Sequence, residues 1–530
     1  MTLQSSLDRT GAYTIALITA AATFLVAYGF DAFGMHLKID GELAADYVPP
    51  IWRAWIGQDR WAMALVAAVV QPYRSLTVVP WVLCFIGIAL GLVATLRVID
   101  ETRSIPSALA TAVALATPAL YFGVSFTTLS AGIGAGYLAC GVALSCIARR
   151  TARSAMAASL CFAFAIGVYQ AFVSVALTLL VLVHLLGTIA DRPASGTIAP
   201  APPATFAPAG AFRQALRGFA CLLGGIALWM AIAVVARKVT GSESQYLEQF
   251  AAAMPLAGIK AILLLARDHI FGHSAVHATY LWLWAYLGVF VVALGSWVLR
   301  ERAHPTRVLG VLGGTVLLML APFAHALTSG AVTPIRSLFA VPVTFFGLTL
   351  AGYAMASRRL RYVFVTSTAL LVISFCVSTN RLADAAFWAL QRDTAIATTL
   401  TSRAAVLLAE HPGVRDVEII GRIDLPPSAL APRIEHVGAS FFAWEDGNRW
   451  RISSFLRHVG FPTLPIASPE TRRTLLEVAS GLPSWPAPGS MVVVNRTLII
   501  KLGRYARRDA VELCATSTTP DSCLASASPP

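Results

Sequence analysis

The run SAMAASLCFAFAIGVYQAFVSVALTLLVLVHLL, Ser154–Leu186, sets the topology of everything that follows it. A helix needs roughly 20 apolar residues to cross a hydrocarbon core of about 30 Å. This run is too long for one such helix and rather short for two. Tyr169 and Gln170 sit in its middle. Two readings are open: one tilted helix, or two segments, 155–168 and 171–189, the first short or re-entrant, meeting at an outer surface. The choice inverts every later loop, so the charges flanking the run decide between them.

The composition supports a membrane class. The chain has 530 residues, of which 57% are hydrophobic and 13% charged, and its mean hydropathy is +0.69. That leaves too little polar surface to cover a water-soluble globule. The net charge of +13 would suggest nucleic acid in a soluble protein. Here the arginines sit in short loops between apolar runs, as the positive-inside rule asks, and no nucleic-acid partner is implied. No cleavable signal peptide is expected, because the first run continues past Asp8 and Arg9 to Phe30 without a small-residue cleavage site.

The other runs are 12–33, 77–96, 106–122, 131–147, 216–235, 278–299, 308–327, 338–356 and 362–377. With two crossings in 154–186, the arginine clusters at 149–153, 192–217, 300–307 and 358–361 all fall on one side, which is therefore cytoplasmic. The fold expected is mainly α: a polytopic helical membrane protein of about eleven crossings, amino terminus inside. Residues 1–379 form the membrane domain, with a cytoplasmic Pro/Ala linker at 191–215. Residues 380–530 form a small α/β domain on the periplasmic side of an inner membrane. In that tail the sequence predicts a helix over 382–410, strands over 417–423 and 491–500, and a helix capped by Ser468, opened by Pro469 and stopped by Gly481.

Six of the eight cysteines lie in apolar runs, where they read as small hydrophobes. Cys514 and Cys523 lie in the polar tail and are candidates for a disulfide. No metal-binding pattern occurs; His269, His273 and His277 would share a helix face but are read as incidental.

The outer loop 35–76 concentrates chemistry. It holds Asp40, Glu42 and Asp46, then Trp52, Arg53, Trp55, Asp59, Arg60 and Trp61. A two-residue spacing puts Asp40 and Glu42 on one side of an extended segment but not on one helix face, so the stretch before Pro49 should be irregular. Pro49 and Pro50 should open a short interfacial helix, with Trp52 and Trp55 facing lipid or glycan and Arg53 facing water.

This loop resembles the opening outer loop of the GtrII-type glucosyltransferases, in which an acidic cluster precedes a Gly-Arg-Trp-like motif. The chain departs from that pattern at Gly41, inside the acidic cluster, and at Asp59, where the family has glycine. Tyr169-Gln170-Ala171-Phe172, Pro334 to Arg336, and Gly438 to Phe442 with Trp444 and Gly447 carry the likeness further. The resemblance implies a GT-C fold and a polyprenyl-phosphate sugar donor, undecaprenyl phosphate glucose. The acceptor would be a lipid-linked or surface glycan such as O-antigen. A flippase and a donor-synthesising transferase would be functional partners in the bilayer.

Sugar transfer to a hydroxyl needs a base for the acceptor proton and cations for the leaving phosphate. Asp40 and Glu42 are candidates for the first role. Arg60 and Arg336, with Arg74 and Lys260 behind them, are candidates for the second, since a guanidinium stays charged and pairs with phosphate oxygens. Trp61, Tyr169 and Gln170 are candidates for lining the sugar pocket. No cofactor is expected, and assistance by a divalent cation stays open. A transferase of another lipid-linked sugar and a glycan flippase are the alternatives; the flippase is disfavoured because the carboxylates lie in an outer loop rather than at the midplane.

Overall fold

The computed structural model describes residues 3–34, 37–42, 51–70, 78–190, 208–243, 255–277, 280–424, 426 and 432–514. It divides into two compact units, one of Met1–Met35 with Pro49–Arg381, the other of His36–Val48 with Leu382–Pro530. Asp46, Arg74, Cys523 and most of the Pro/Ala linker lie outside the described residues.

The first unit is helical. In chain order it contains α1 (Leu3–Phe33), α2 (Ile51–Gly57), α3 (Trp61–Val70), α4 (Val78–Val98), α5 (Ser104–Ala116), α6 (Pro118–Val124), α7 (Thr127–Ala148), α8 (Ala152–Val168), α9 (Phe172–Ala190), α10 (Pro208–Thr240), α11 (Pro255–His269), α12 (Leu281–Glu301), α13 (Pro305–Leu320), α14 (Ala326–Ser329), α15 (Val341–Met355) and the first part of α16 (Arg358–Glu410). Among the described residues, eight helices are long and apolar enough to cross a membrane, nine if α5 and α6 are one span bent by 56°. The bend has a local cause: Pro118 excludes the helical conformation at Thr117, which adopts φ −54°, ψ 119°.

All eleven expected runs coincide with helices, but α8 and α15, at 17 and 15 residues, fall short of a full crossing length. The long apolar run 154–186 is two helices. α8 ends at Tyr169, which is extended (φ −157°, ψ 130°), and α9 begins at Phe172. One other expectation is corrected here. α11 ends at His269, so the three histidines do not share a helix face; His269 and His277 are buried and His273 is exposed.

Close packing in this unit is built on glycine. α4 carries Gly87 and Gly91 one turn apart, and a Cβ at either would run into the backbone of α7, at Gly134 and at Tyr137 respectively. Small residues spaced by four let two apolar helices approach until their backbones touch, which is how helices associate where lipid supplies no hydrophobic drive. Phe24 and Tyr28 of α1 pack, tilted, against Phe85 of α4, with ring centroids 4.3 and 4.6 Å away, and Tyr28 donates a hydrogen bond to the Leu115 carbonyl at 2.8 Å.

α2 ends in a turn that places Arg60. The Arg60 N–H bonds to the Trp55 carbonyl at 2.8 Å and the Asp59 N–H to that of Ile56 at 2.9 Å, with Asp59 at φ +58°. This is the Schellman arrangement, whose left-handed position is usually glycine. It accounts for the departure at Asp59: aspartate is among the few residues that tolerate this conformation. Its carboxylate also holds Arg237 of α10 at 3.1 Å, and its carbonyl accepts the Trp229 indole N–H at 3.0 Å. Trp55, expected to face outward, is buried; Arg53 is exposed, as expected.

In the second unit α16 continues unbroken to Glu410, so the last crossing and the expected 382–410 helix are one element. β1 (Asp416–Ile420), β2 (Met491–Val494) and β3 (Thr497–Lys501) form a sheet of order β1-β3-β2. β1 runs parallel to β3 with Val417 opposite Leu498, and β2 runs antiparallel to it with Val493 opposite Leu498. The stretch 491–500 is thus a hairpin rather than one strand. It turns at Asn495 and Arg496, both at positive φ (47° and 66°), as a two-residue hairpin demands.

α17 (Arg449–His458), α18 (Pro469–Ser480) and α19 (Arg507–Cys514) complete the unit. Ser468 caps α18 by accepting the Thr471 N–H at 3.3 Å. Leu475, Leu476 and Ala479 of that helix pack on Ile420 and Ile499. Cys514 is disulfide-bonded.

Two outcomes are expected. Gly134→Leu should lower the thermal midpoint of the detergent-solubilised protein, since overpacking costs about 1–3 kcal/mol, while leucine at the open position Gly295 should leave it unchanged. Asp59→Gly should retain the fold, whereas Asp59→Val should lose stability by about 1–2 kcal/mol or more, read in the same melts.

Candidate functional site

The acidic residues come together in the second unit. Lys38 to Gly41 form a turn closed by the Gly41 N–H on the Lys38 carbonyl at 2.8 Å, with Asp40 left-handed at φ +73°. Gly41 and Glu42 are helical, which corrects the expectation of an irregular stretch; the left-handed turn at Asp40 just before them lets both carboxylates reach the same partner. Arg451 of α17 donates to Glu42 at 2.5 Å and to Asp40 at 2.6 Å. It also grips Glu445 through two bonds of 2.7 and 2.9 Å. One buried guanidinium therefore serves three carboxylates.

Arg451 was not among the residues read from the sequence. The only signal was its place four residues beyond the Trp444 and Gly447 motif.

The neighbours of Arg451 explain how it is held. Asn448 caps α17 by accepting the Trp450 N–H at 3.0 Å, and its amide donates to Glu445 at 3.0 Å. Arg449 anchors the same helix turn to Glu418 in the middle of β1 at 2.7 Å. Arg472 of α18 completes that buried network by bonding Glu418, Asp509 and Glu512. Burial pushes the carboxyls of Glu418 and Asp509 up, outweighing the opposing pull of the arginines beside them. Before α17 the chain makes a turn with three successive left-handed residues, Glu445 (φ 50°), Asp446 (φ 59°) and Gly447 (φ 73°). Asp446 binds the Arg422 guanidinium and the Arg507 N–H, which fixes that turn.

Glu42 and Asp40 differ in environment. Glu42 is fully buried, and its Oε2 has no hydrogen-bond partner among the described residues. Burial raises its carboxyl to about 7; the Arg451 charge opposes that rise and the Asp40 charge adds to it. Asp40 keeps 39% of its side chain exposed. The pair thus offers one buried carboxyl raised to about 7 and one open to solvent.

The cationic and aromatic candidates gather in the first unit. The Arg60 guanidinium lies 4.0 Å from the Tyr169 ring centroid and 5.6 Å from that of Trp55. Gln170 donates to the Gln58 carbonyl at 2.8 Å, tying the break between α8 and α9 to the turn that bears Arg60. Trp61 lies against Gly167 of α8, where a Cβ would meet its indole.

Tyr169 in turn meets Phe339, centroids 5.1 Å apart and edge to face. Phe339 follows Arg336 by three residues and fills a slot beside Gly123, and its carbonyl accepts the Tyr137 hydroxyl. Arg336 is half-buried, 5.9 Å from the Phe126 ring, and its guanidinium has no hydrogen bond or ion pair among the described residues. The structure thus joins Arg60, Trp61, Tyr169 and Gln170, with the Arg336 segment packed on the same tyrosine. Lys260 does not join them; it is exposed on α11, with no hydrogen bond or ion pair among the described residues. Among the described residues no cluster of His, Cys, Asp and Glu is arranged to hold a metal ion.

No curated protein and no solved structure matches the chain. Residues 32–351 match the family described as Glucosyl transferase GtrII; the match takes in Asp40, Glu42, Arg60 and Arg336 and stops short of Arg451. On that match over more than half its length, this mainly helical membrane chain belongs to the GtrII glucosyltransferase family.

Proposed function

We propose that the protein transfers glucose from a polyprenyl-phosphate donor, undecaprenyl phosphate glucose, to a lipid-linked or surface glycan at the periplasmic face of the inner membrane. The observation that carries this reading is Glu42: buried, with one oxygen that has no partner among the described residues and its carboxyl raised to about 7, beside the half-exposed Asp40.

In the proposed step Glu42 takes the proton of the acceptor hydroxyl as that oxygen bonds to the anomeric carbon. The bond from that carbon to the phosphate oxygen breaks, and its electron pair leaves with the phosphate. Arg60 and Arg336 are assigned to the phosphate, where a guanidinium neutralises the charge that develops on the leaving oxygens. The absence of any ion pair on Arg336 among the described residues supports that assignment. Arg451 holds Asp40 and Glu42 in place.

The orientation proposed, eleven crossings with the amino terminus inside and the tail outside, is supported by the break at Tyr169. With two helices there, the arginine clusters fall on one side. Asp40 and Glu42 are assigned to the outer side, where the lipid-linked sugar would be used.

Two tests follow. Glu42→Gln should lower kcat by about 10²–10⁴-fold while lipid binding persists. The pH profile of kcat/KM should rise with pH and bend near 7, because a base works only when deprotonated. Asp40→Asn removes a charge that raises the Glu42 carboxyl and should move the bend to lower pH. Arg451→Gln removes one that lowers it and should move the bend up. A profile flat from pH 5 to 9 would sink the assignment of Glu42 as base. Arg60→Gln and Arg336→Gln should each weaken binding of undecaprenyl phosphate by about tenfold or more, the scale of a hydrogen bond to a charged group.

A further inference from the structure

The segment that carries Arg336 is held by a single imidazole. His325 stands just before α14, and its Nδ1 lies 3.0 Å from Ser174 Oγ on α9. The same hydroxyl accepts the His325 backbone N–H at 3.4 Å. On its other edge, Nε2 lies 2.9 Å from Thr333 Oγ1 and 3.2 Å from Ser337 Oγ. Thr333 and Ser337 flank Arg336 on either side, and Ser337 Oγ donates to the Pro334 carbonyl at 2.7 Å, closing the 3-10 turn Ile335–Ser337 that bears the guanidinium.

One ring therefore ties a membrane helix to both ends of that turn. Beyond it, Phe339 is wedged against Phe172 and Tyr169, with centroids 5.6 and 5.1 Å away. The backbone of Arg336 is pinned on both sides while its guanidinium has no hydrogen bond or ion pair among the described residues.

We propose that His325 is a positioning residue for Arg336: by bonding Thr333 and Ser337 it fixes the turn from which the guanidinium meets the phosphate of the lipid donor. This rests on the assignment of Arg336 to that phosphate and adds the residue through which it is aimed. His325 touches neither donor nor acceptor. Its two ring nitrogens have separate tasks, Nδ1 toward the membrane helix and Nε2 toward the turn, so amide replacements divide them. Glutamine reaches the Nε2 position and asparagine only the Nδ1 position.

The test measures binding of undecaprenyl phosphate in detergent micelles to the full-length protein, with a monodisperse elution profile as the check on folding. Arg336→Gln should weaken binding about tenfold. His325→Asn should weaken it by a comparable factor, and His325→Gln should restore most of the loss. The double variant His325→Asn/Arg336→Gln should bind no more weakly than Arg336→Gln alone, because a residue acting through another adds nothing once that other is gone.

Multiplicative losses in the double variant, or wild-type binding by His325→Asn, would overturn the positioning role and leave the phosphate assignment standing. Wild-type binding by Arg336→Gln would overturn the phosphate assignment and this inference with it. Should His325→Asn fail the elution check, Ser337→Ala and Thr333→Val remove the turn-side partners one at a time. Each should then show the same dependence on Arg336, and independence from it would overturn the proposal.

Discussion

A single buried guanidinium with three carboxylates around it is the interaction on which the acidic site depends. Arg451 carries one charge against three: Asp40 and Glu445 keep part of their surface exposed, and Glu42 alone is fully buried, where an anion is costly. The arrangement persists because Arg451 is itself fixed: Asn448 caps its helix, and Arg449 in the same turn pins that helix to Glu418 on β1. Breaking a buried pair leaves an uncompensated charge, which costs about 3–5 kcal/mol, so the acidic turn and α17 hold each other in place. The small sheet domain supplies the stiff surface on which this is built, with the buried Arg472 network beneath it.

The membrane unit solves a different problem. Its glycines let α4 and α7 touch at the backbone, and its polar groups gather where helices break. The break at Tyr169 is the clearest case: Tyr169 lies under Arg60, Gln170 reaches Gln58, and Phe339 rests on the tyrosine from the side of Arg336. Helix ends there serve as the places where charge can be kept inside an apolar bundle.

Much of this was legible in the chain. The apolar runs mark the helices, the pair Tyr169-Gln170 marks the break between α8 and α9, and Ser468-Pro469 marks the start of α18, because length, polarity and capping are local properties. Features that depend on distant partners were not. Asn495-Arg496 lacks the usual glycine of a hairpin turn, so 491–500 reads as one strand. Trp55 reads as an interface residue until Arg60 is seen over it. Arg451 lies 411 residues from Asp40, and nothing in its own neighbourhood announces that its partners are the carboxylates of the first loop. Family membership reaches residues 32–351, so it carries the acidic loop and both arginines but is silent on the residue that orders the acids.

The turn Glu445–Gly447 has a consequence for how related chains can diverge. Three successive left-handed residues are costly for anything but glycine, and here two of them are acids whose side chains are engaged, Glu445 by Arg451 and Asp446 by Arg422 and the Arg507 N–H. Backbone shape and charge pattern are therefore inherited together. A lineage that reversed or lost one of these four side chains would be left with a contorted loop and nothing to hold it. Glu445, Asp446, Arg422 and Arg451 should then vary as a set, and drift at any one of them alone should be rare.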